Sequence, residues 1–202
     1  MANFPNSNNT STGVFGRMNA FWIEPAKRDV MGYQLTGLSD GEVVLQGTPL
    51  LCDDASKTAT ICKYAYVLAV ATDKKTLEVK PGHHVKKGDK VMISGAEAPA
   101  LLTVNTATDT QIVLSAANDN VKAGSILVEA DNVSSTVKPV ALPNRIASSD
   151  STTINGTTTV AAAHNGVVLE NVVHYPKEYI NDTTFPGSKL LVGCPNILFT
   201  IQ

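Results

Sequence analysis

Four histidines, three cysteines and one pair of adjacent aspartates are the residues of this chain best equipped for chemistry. His83 and His84 stand side by side, the pattern that invites a metal site or an acid–base pair. Adjacent residues of an extended chain point to opposite faces, however, so the two rings converge poorly on one atom, and an exposed turn is the better reading. His164 and His174 also fall near predicted turns or strand ends. Asp53-Asp54 opens a polar loop that lacks the spacing of a calcium-binding loop and reads as a solvated turn. Cys52, Cys62 and Cys194 are an odd number without metal spacing. Cys52 and Cys62 could face each other across a hairpin, but all three are read as buried free thiols. The sequence has no Gly-x-Ser-x-Gly, no phosphate-binding Gly-rich loop and no His-Glu-x-x-His. Its carboxylates lie mostly in turns, where solvation keeps them ordinary. No enzymatic activity, cofactor or metal is expected.

The elements that would position these residues are strands. Valine, threonine and asparagine are abundant, while aromatic residues make up 5% and charged residues 17% of the chain, a profile suited to strands joined by short polar turns. A phrase recurs in which a strand closes on a valine, a glycine follows three residues later, and a hydrophobe three further on re-enters the core. Its copies are Val44–Gly47–Leu50, Val85–Gly88–Val91 and Val121–Gly124–Leu127, with a weaker one at Thr184–Gly187–Leu190. Glycine there supplies turn or bulge backbone that other residues resist. Tyr64–Ala71 is apolar almost throughout and is predicted to be the most buried strand. Lys86, Lys87 and Lys90, offset by Asp89, read as a solvated edge that discourages sheet-to-sheet aggregation. Asn155-Gly156 predicts a tight hairpin, and His164-Asn165-Gly166 a second tight turn leading into a strand over Val167–Val173. Ala161–Ala163 reads as strand rather than helix, and Tyr175–Tyr179 as a single helical turn with Pro176 at its first position.

The chain as a whole is expected to be all-β: a compact barrel-like or sandwich-like domain with short turns and a flexible N-terminal arm. Residues 1–22 form the arm, 23–130 the β-domain, 131–153 an extended or edge-hugging linker, and 154–202 a C-terminal β-segment packed on that domain or on a neighbouring subunit. Residues 1–13 are nearly all Asn, Ser, Thr, Gly and Pro around Phe4, too little apolar surface to order alone. Phe15, Phe21 and Trp22 follow as an anchoring cluster, set either against the chain's own core or against a partner. The formal net charge of -2 argues against a nucleic-acid or membrane-surface partner. No run of about 18 apolar residues predicts a membrane span. The N-terminus lacks the basic and apolar regions of a secretory signal.

The polar arm, the β-domain punctuated by Val-x-x-Gly-x-x-Leu, and the turn Ala163–Val168 leading to a late apolar strand resemble the head-decoration, auxiliary capsid and head-fibre proteins of tailed bacteriophages. The resemblance covers roughly residues 43–202. It implies a homotrimer on the outer surface of an icosahedral capsid, assembled in the host cytoplasm, with the major capsid protein as partner and no catalytic residues. Phe4, Phe15, Phe21 and Trp22 are then the expected capsid-contacting residues. A carbohydrate- or cell-surface-binding β-module is the alternative, although such modules usually display several exposed aromatic platforms.

Overall fold

The computed structural model describes residues 21–22, 30–182 and 188–200. In chain order the first strands are β1 (Phe21–Trp22), β2 (Val30–Leu35), β3 (Val43–Val44), β4 (Pro49–Asp53) and β5 (Thr58–Ile61). A central run follows: β6 (Tyr64–Val70), β7 (Thr76–Val79), β8 (Lys90–Ile93), β9 (Leu102–Thr108), β10 (Gln111–Leu114) and β11 (Ile126–Val133). Then come β12 (Thr136–Pro139), β13 (Arg145–Ala147), β14 (Ser151–Thr152), β15 (Thr158–Ala163) and β16 (Gly166–Leu169). After the one-turn helix α1 (Glu170–Val173) and a 3-10 turn (Lys177–Tyr179) the described chain ends in β17 (Ile180–Asn181), β18 (Lys189–Leu191) and β19 (Cys194–Thr200). The fold is all-β, as the composition predicts.

The central run forms a sheet in the order β12-β11-β6-β7-β10-β9-β8, and β8 pairs again with β11, so six antiparallel strands close on themselves with β12 appended at the side. Alternation explains the closure. Leu77 and Val79 of β7, Ile112 and Leu114 of β10, and Ala65 and Val67 of β6 all turn inward, and with Val91, Val104 and Leu127 they fill the interior with side chains. Removing each such Val, Leu or Ile from water contributes about 1.5–3 kcal/mol. The expectation that Tyr64–Ala71 is the most buried strand is corrected: Leu68 is 46% exposed. The register of β6 against β7 shifts between Val67 and Ala69, and this bulge carries Leu68 outward.

The recurring glycine phrase is one structural device used three times. Val44, Val85 and Val121 are buried, as are Leu50, Val91 and Leu127 that follow the turns. Between them Gly47, Gly88 and Gly124 sit at φ +85°, +90° and +86°. In each turn the residue after the glycine donates its N–H to the carbonyl three residues back: Thr48 to Leu45 (3.0 Å), Asp89 to Lys86 (3.1 Å) and Ser125 to Lys122 (3.0 Å). Positive φ at the third turn position is what glycine permits. Each glycine N–H also reaches a carbonyl elsewhere in the chain, on Ala147 (2.8 Å), Val104 (2.9 Å) and Val67 (2.8 Å), so the turns are stitched to the barrels. Thr184 and Gly187 of the weaker copy lie outside the described residues, and Leu190 is buried.

A second, smaller barrel closes in the order β13-β15-β2-β5-β4, with β2 and β5 parallel and its other pairs antiparallel. Tyr33, Leu35, Leu50, Cys52, Ile61, Val160 and Ala162 belong to its core. Its strands come from both ends of the chain, so residues 23–130 and 154–202 do not fold as separate units. Residues 131–153, expected as a linker, are also corrected. They complete the β11–β12 hairpin through Ser134 and Ser135, both at positive φ, then supply β13 to the small barrel and β14, which pairs with β3. The edge-hugging part of that reading describes β12, which lies at the end of its sheet.

The third layer is a sheet in the order β1-β16-β19-β18-β17, with β16 and β19 parallel. It covers the junction of the two barrels. One cluster joins Met92, Val128 and Ala130 from the large barrel, Ile146 and Ala163 from the small one, and Val168, Leu191, Ile197 and Phe199 from this sheet. The tight turn at Asn155-Gly156 forms, with Ile154 and Thr157 bonded in both directions, but the strands beside it do not pair as a hairpin: β14 pairs with β3, and β15 with β2 and β13. The turn after β15 is no hairpin, because β15 belongs to the small barrel and β16 to the third sheet. The strand expected over Val167–Val173 stops at Leu169, where α1 begins. The C-terminal strand is held within the chain's own sheet.

Candidate interaction surface and the polar junction behind it

Closed barrels leave no sheet edge; among the described residues the open ones belong to the two-stranded β3–β14 sheet, to the third sheet and to β12. β1 is a terminal strand of the third sheet, with Phe21 opposite Val168 and Trp22 opposite Val167. Of the four predicted contact residues, Phe21 and Trp22 therefore pair through their backbone with the chain's own β16, and Phe4 and Phe15 lie outside the described residues. Exposed apolar side chains cluster in sequence beside the β12 edge: Val133 at the end of β11, then Val140 and Leu142 after β12.

What holds the third sheet in place is aromatic. Tyr64, Tyr175, Tyr179 and Phe199 meet edge to face, with ring centroids 5.4–6.3 Å apart. Each hydroxyl ends on a backbone carbonyl: Tyr64 on Val173 (2.8 Å), Tyr179 on Lys63 (3.4 Å) and Tyr175 on Gly47, the glycine of the first turn. Burial pushes all three phenols above the ordinary tyrosine range. Sequence reading took Tyr175 and Tyr179 only as ends of a helical turn, which does form over Lys177–Tyr179 with Pro176 just before it. Their spacing of four residues was the available signal that both face one way.

The paired histidines are buried, against the expectation of an exposed turn. The segment carrying them meets the loop of Glu42, and each ring finds its own partner. His83 Nε2 donates to the Thr108 carbonyl at 2.9 Å while its Nδ1 accepts the Val85 N–H at 3.0 Å. Burial lowers the His83 pKa and favours this neutral form. His84, in the left-handed region at φ +56°, donates from Nδ1 to Glu42 Oε1 at 2.7 Å, while its buried Nε2 has no hydrogen-bond partner among the described residues. Lys86 Nζ lies 3.1 Å from Glu42 Oε2, and the Ser39 N–H donates to the same oxygen at 2.8 Å. These hydrogen bonds, the one from His84 foremost, hold the Glu42 carboxyl down at about 2 against the opposing effect of burial. Sequence reasoning missed Glu42 because the partners are 42 positions apart.

Lys86 and Lys90 are more than a solvated edge, since Lys86 joins Glu42 and Lys90 reaches Asp131 at 3.2 Å. Asp53 closes its own turn, accepting from the Ala55 N–H (2.9 Å) and Ser56 Oγ (2.7 Å), and Asp54 takes the Tyr33 hydroxyl and Arg145 Nη2. Cys52, Cys62 and Cys194 are free and buried, as read. Burial pushes the Cys52 thiol up to about 12 and the Cys62 thiol higher still. Among the described residues no group of three or more His, Cys, Asp or Glu could hold a metal ion, and no helix is long and apolar enough to cross a membrane. Comparison with protein-family models, with curated proteins and with solved structures returns no match for this chain.

Proposed function

We propose that this protein is a non-enzymatic structural component of a virion that decorates or cements the outer surface of an icosahedral phage capsid as a homotrimer. The observation that carries the reading is the position of β1. Phe21–Trp22 forms the terminal strand of the third sheet, directly after a 20-residue segment whose first 13 residues are almost wholly polar. A strand partner offered at an open edge suits attachment by strand addition, in which main-chain bonds supply affinity and aromatic anchors supply specificity. The side-chain-filled barrels fit a rigid cementing role.

Deletion of residues 2–13 tests this. The truncated protein is expected to keep its thermal midpoint within about 2 °C, since so polar a segment adds little to a core, and to co-sediment weakly with capsids where the full chain sediments tightly. Full-strength binding by the truncated protein would overturn the role of the arm. Specific signals on a glycan array without capsid affinity would establish the carbohydrate-binding alternative instead. A stable monomer by light scattering at micromolar concentration would remove the trimer.

A further inference from the structure

The side chain of Lys63 ends between two carboxylates, with Nζ 2.9 Å from Asp89 Oδ2 and 2.9 Å from Glu129 Oε1. We infer that this triad is a self-modification site, at which the Lys63 amine and the Asp89 carboxyl condense to an isopeptide bond while Glu129 carries a proton. The fold sets the three groups side by side. β11 pairs with β6 and with β8, at the seam where the large barrel closes. Lys63 directly precedes β6, Asp89 directly precedes β8, and Glu129 lies on β11. Their backbones are pinned as well. The Lys63 carbonyl accepts the Glu129 N–H at 3.0 Å and the Tyr179 hydroxyl at 3.4 Å, and the Asp89 carbonyl accepts the Val104 N–H at 2.9 Å. Groups held in this way react as if at very high concentration, because the entropy of bringing them together is lost in folding and not in the reaction.

The side chains of Lys63, Asp89 and Glu129 are 23%, 17% and 20% exposed, whereas those of the ion-paired Lys74, Lys86, Lys90 and Lys189 are 39% exposed or more. In such a site an ion pair has lost hydration, so its neutral amine–acid form lies closer in energy than it does in water. Burial draws the Lys63 ammonium down, but its hydrogen bonds to Asp89 and Glu129 keep it above the ordinary lysine range. The resting triad is therefore ionic, and the reaction proceeds slowly from the minor neutral form. The amine attacks Asp89 Cγ, and an Nζ–Cγ bond forms. Asp89 is the electrophile because its Oδ2 also accepts the Lys86 N–H at 2.8 Å, a donor that steadies the charge developing on the carboxyl oxygens. Two protons leave Nζ for one of those oxygens, the second by way of Glu129, and that oxygen departs as water. One ammonium and one carboxylate thus become one amide and one water, and no oxidant or cofactor enters. The product ties the start of β6 to the start of β8 covalently, at the seam of the large barrel.

Intact-mass spectrometry of the denatured full chain, fresh and after ageing of the folded protein at neutral pH, is the test. The aged parent should be lighter by one water than its sequence requires, while Lys63→Met and Asp89→Ala chains keep their full mass. Proteolysis should release a branched peptide whose fragment ions join positions 63 and 89. Glu129→Gln, shown to be folded by circular dichroism, should lose water about a hundredfold more slowly, the loss expected when a positioned proton carrier is removed. An aged parent at the full mass of its sequence would overturn the inference and leave an ion pair only. Loss of water from Lys63→Met would do the same. A branch at position 129 instead of 89, or a Glu129→Gln chain that reacts as fast as the parent, would refute the roles assigned to the two carboxylates.

Discussion

Replacing Glu42 by alanine should loosen the junction between the two barrels, and the size of the effect follows from what the carboxylate holds. Its oxygens accept from His84 Nδ1 at 2.7 Å and the Ser39 N–H at 2.8 Å, with Lys86 Nζ 3.1 Å away. His84 is buried and its Nε2 already has no partner among the described residues, so the alanine variant leaves both ring nitrogens without one there. An unsatisfied buried donor costs about 1–3 kcal/mol and a lost charge-assisted bond a similar amount, so the net destabilisation should be about 2–4 kcal/mol. Glu42→Gln keeps one acceptor for His84 and should cost about half as much. Lys86 is 39% exposed on its side chain, and Lys86→Ala should cost less than about 1 kcal/mol. Urea unfolding at neutral pH measures all three.

The dependence on pH gives a second handle. The folded pKa of Glu42 is about 2 against an ordinary 4.5. A depressed carboxyl stabilises the fold fully above its unfolded pKa and loses that contribution as pH falls toward the folded value. With screening of a partly exposed group allowed for, this contribution is about 1–2 kcal/mol. The stability gap between the parent and Glu42→Gln should therefore be constant from pH 7 to 5 and close between about 4.5 and 2. A Glu42→Ala protein within about 0.5 kcal/mol of the parent at pH 7, or a gap that persists undiminished at pH 2.5, would refute the reasoning.

Two further outcomes are expected. Gly88→Ala meets no atom within 4 Å, so its cost is that of a left-handed backbone alone, about 1–2 kcal/mol by thermal or urea unfolding; Gly82→Ala adds a Cβ 2.4 Å from Leu45 Cδ1 and should cost about 1 kcal/mol more. The thiols of Cys52 and Cys62, buried and with raised pKa values, should resist maleimide at pH 8 in the native protein and react fully after unfolding.

Local signals along the chain were enough to establish the class of the fold. Alternation in Thr76–Val79 and Gln111–Leu114, the Asn155-Gly156 turn and the valine–glycine phrase each involve residues a few positions apart, and backbone sterics settle them wherever they occur. They name strands and turns without saying which strand is a neighbour of which. Tertiary structure alone decided that 131–153 is barrel wall and hairpin, that β15 and β16 part company at Asn165, and that β1 returns to the sheet edge beside β16. It also decided the fate of His83 and His84, polar residues beside a glycine that read locally as an exposed turn. Their burial depends on Thr108, at the end of β9 in the large barrel, and on Glu42, in the loop before β3, the strand that pairs with β14. A buried imidazole is tolerated only where a partner waits for it, and the partner's position is a property of the assembled sheets rather than of any stretch of sequence.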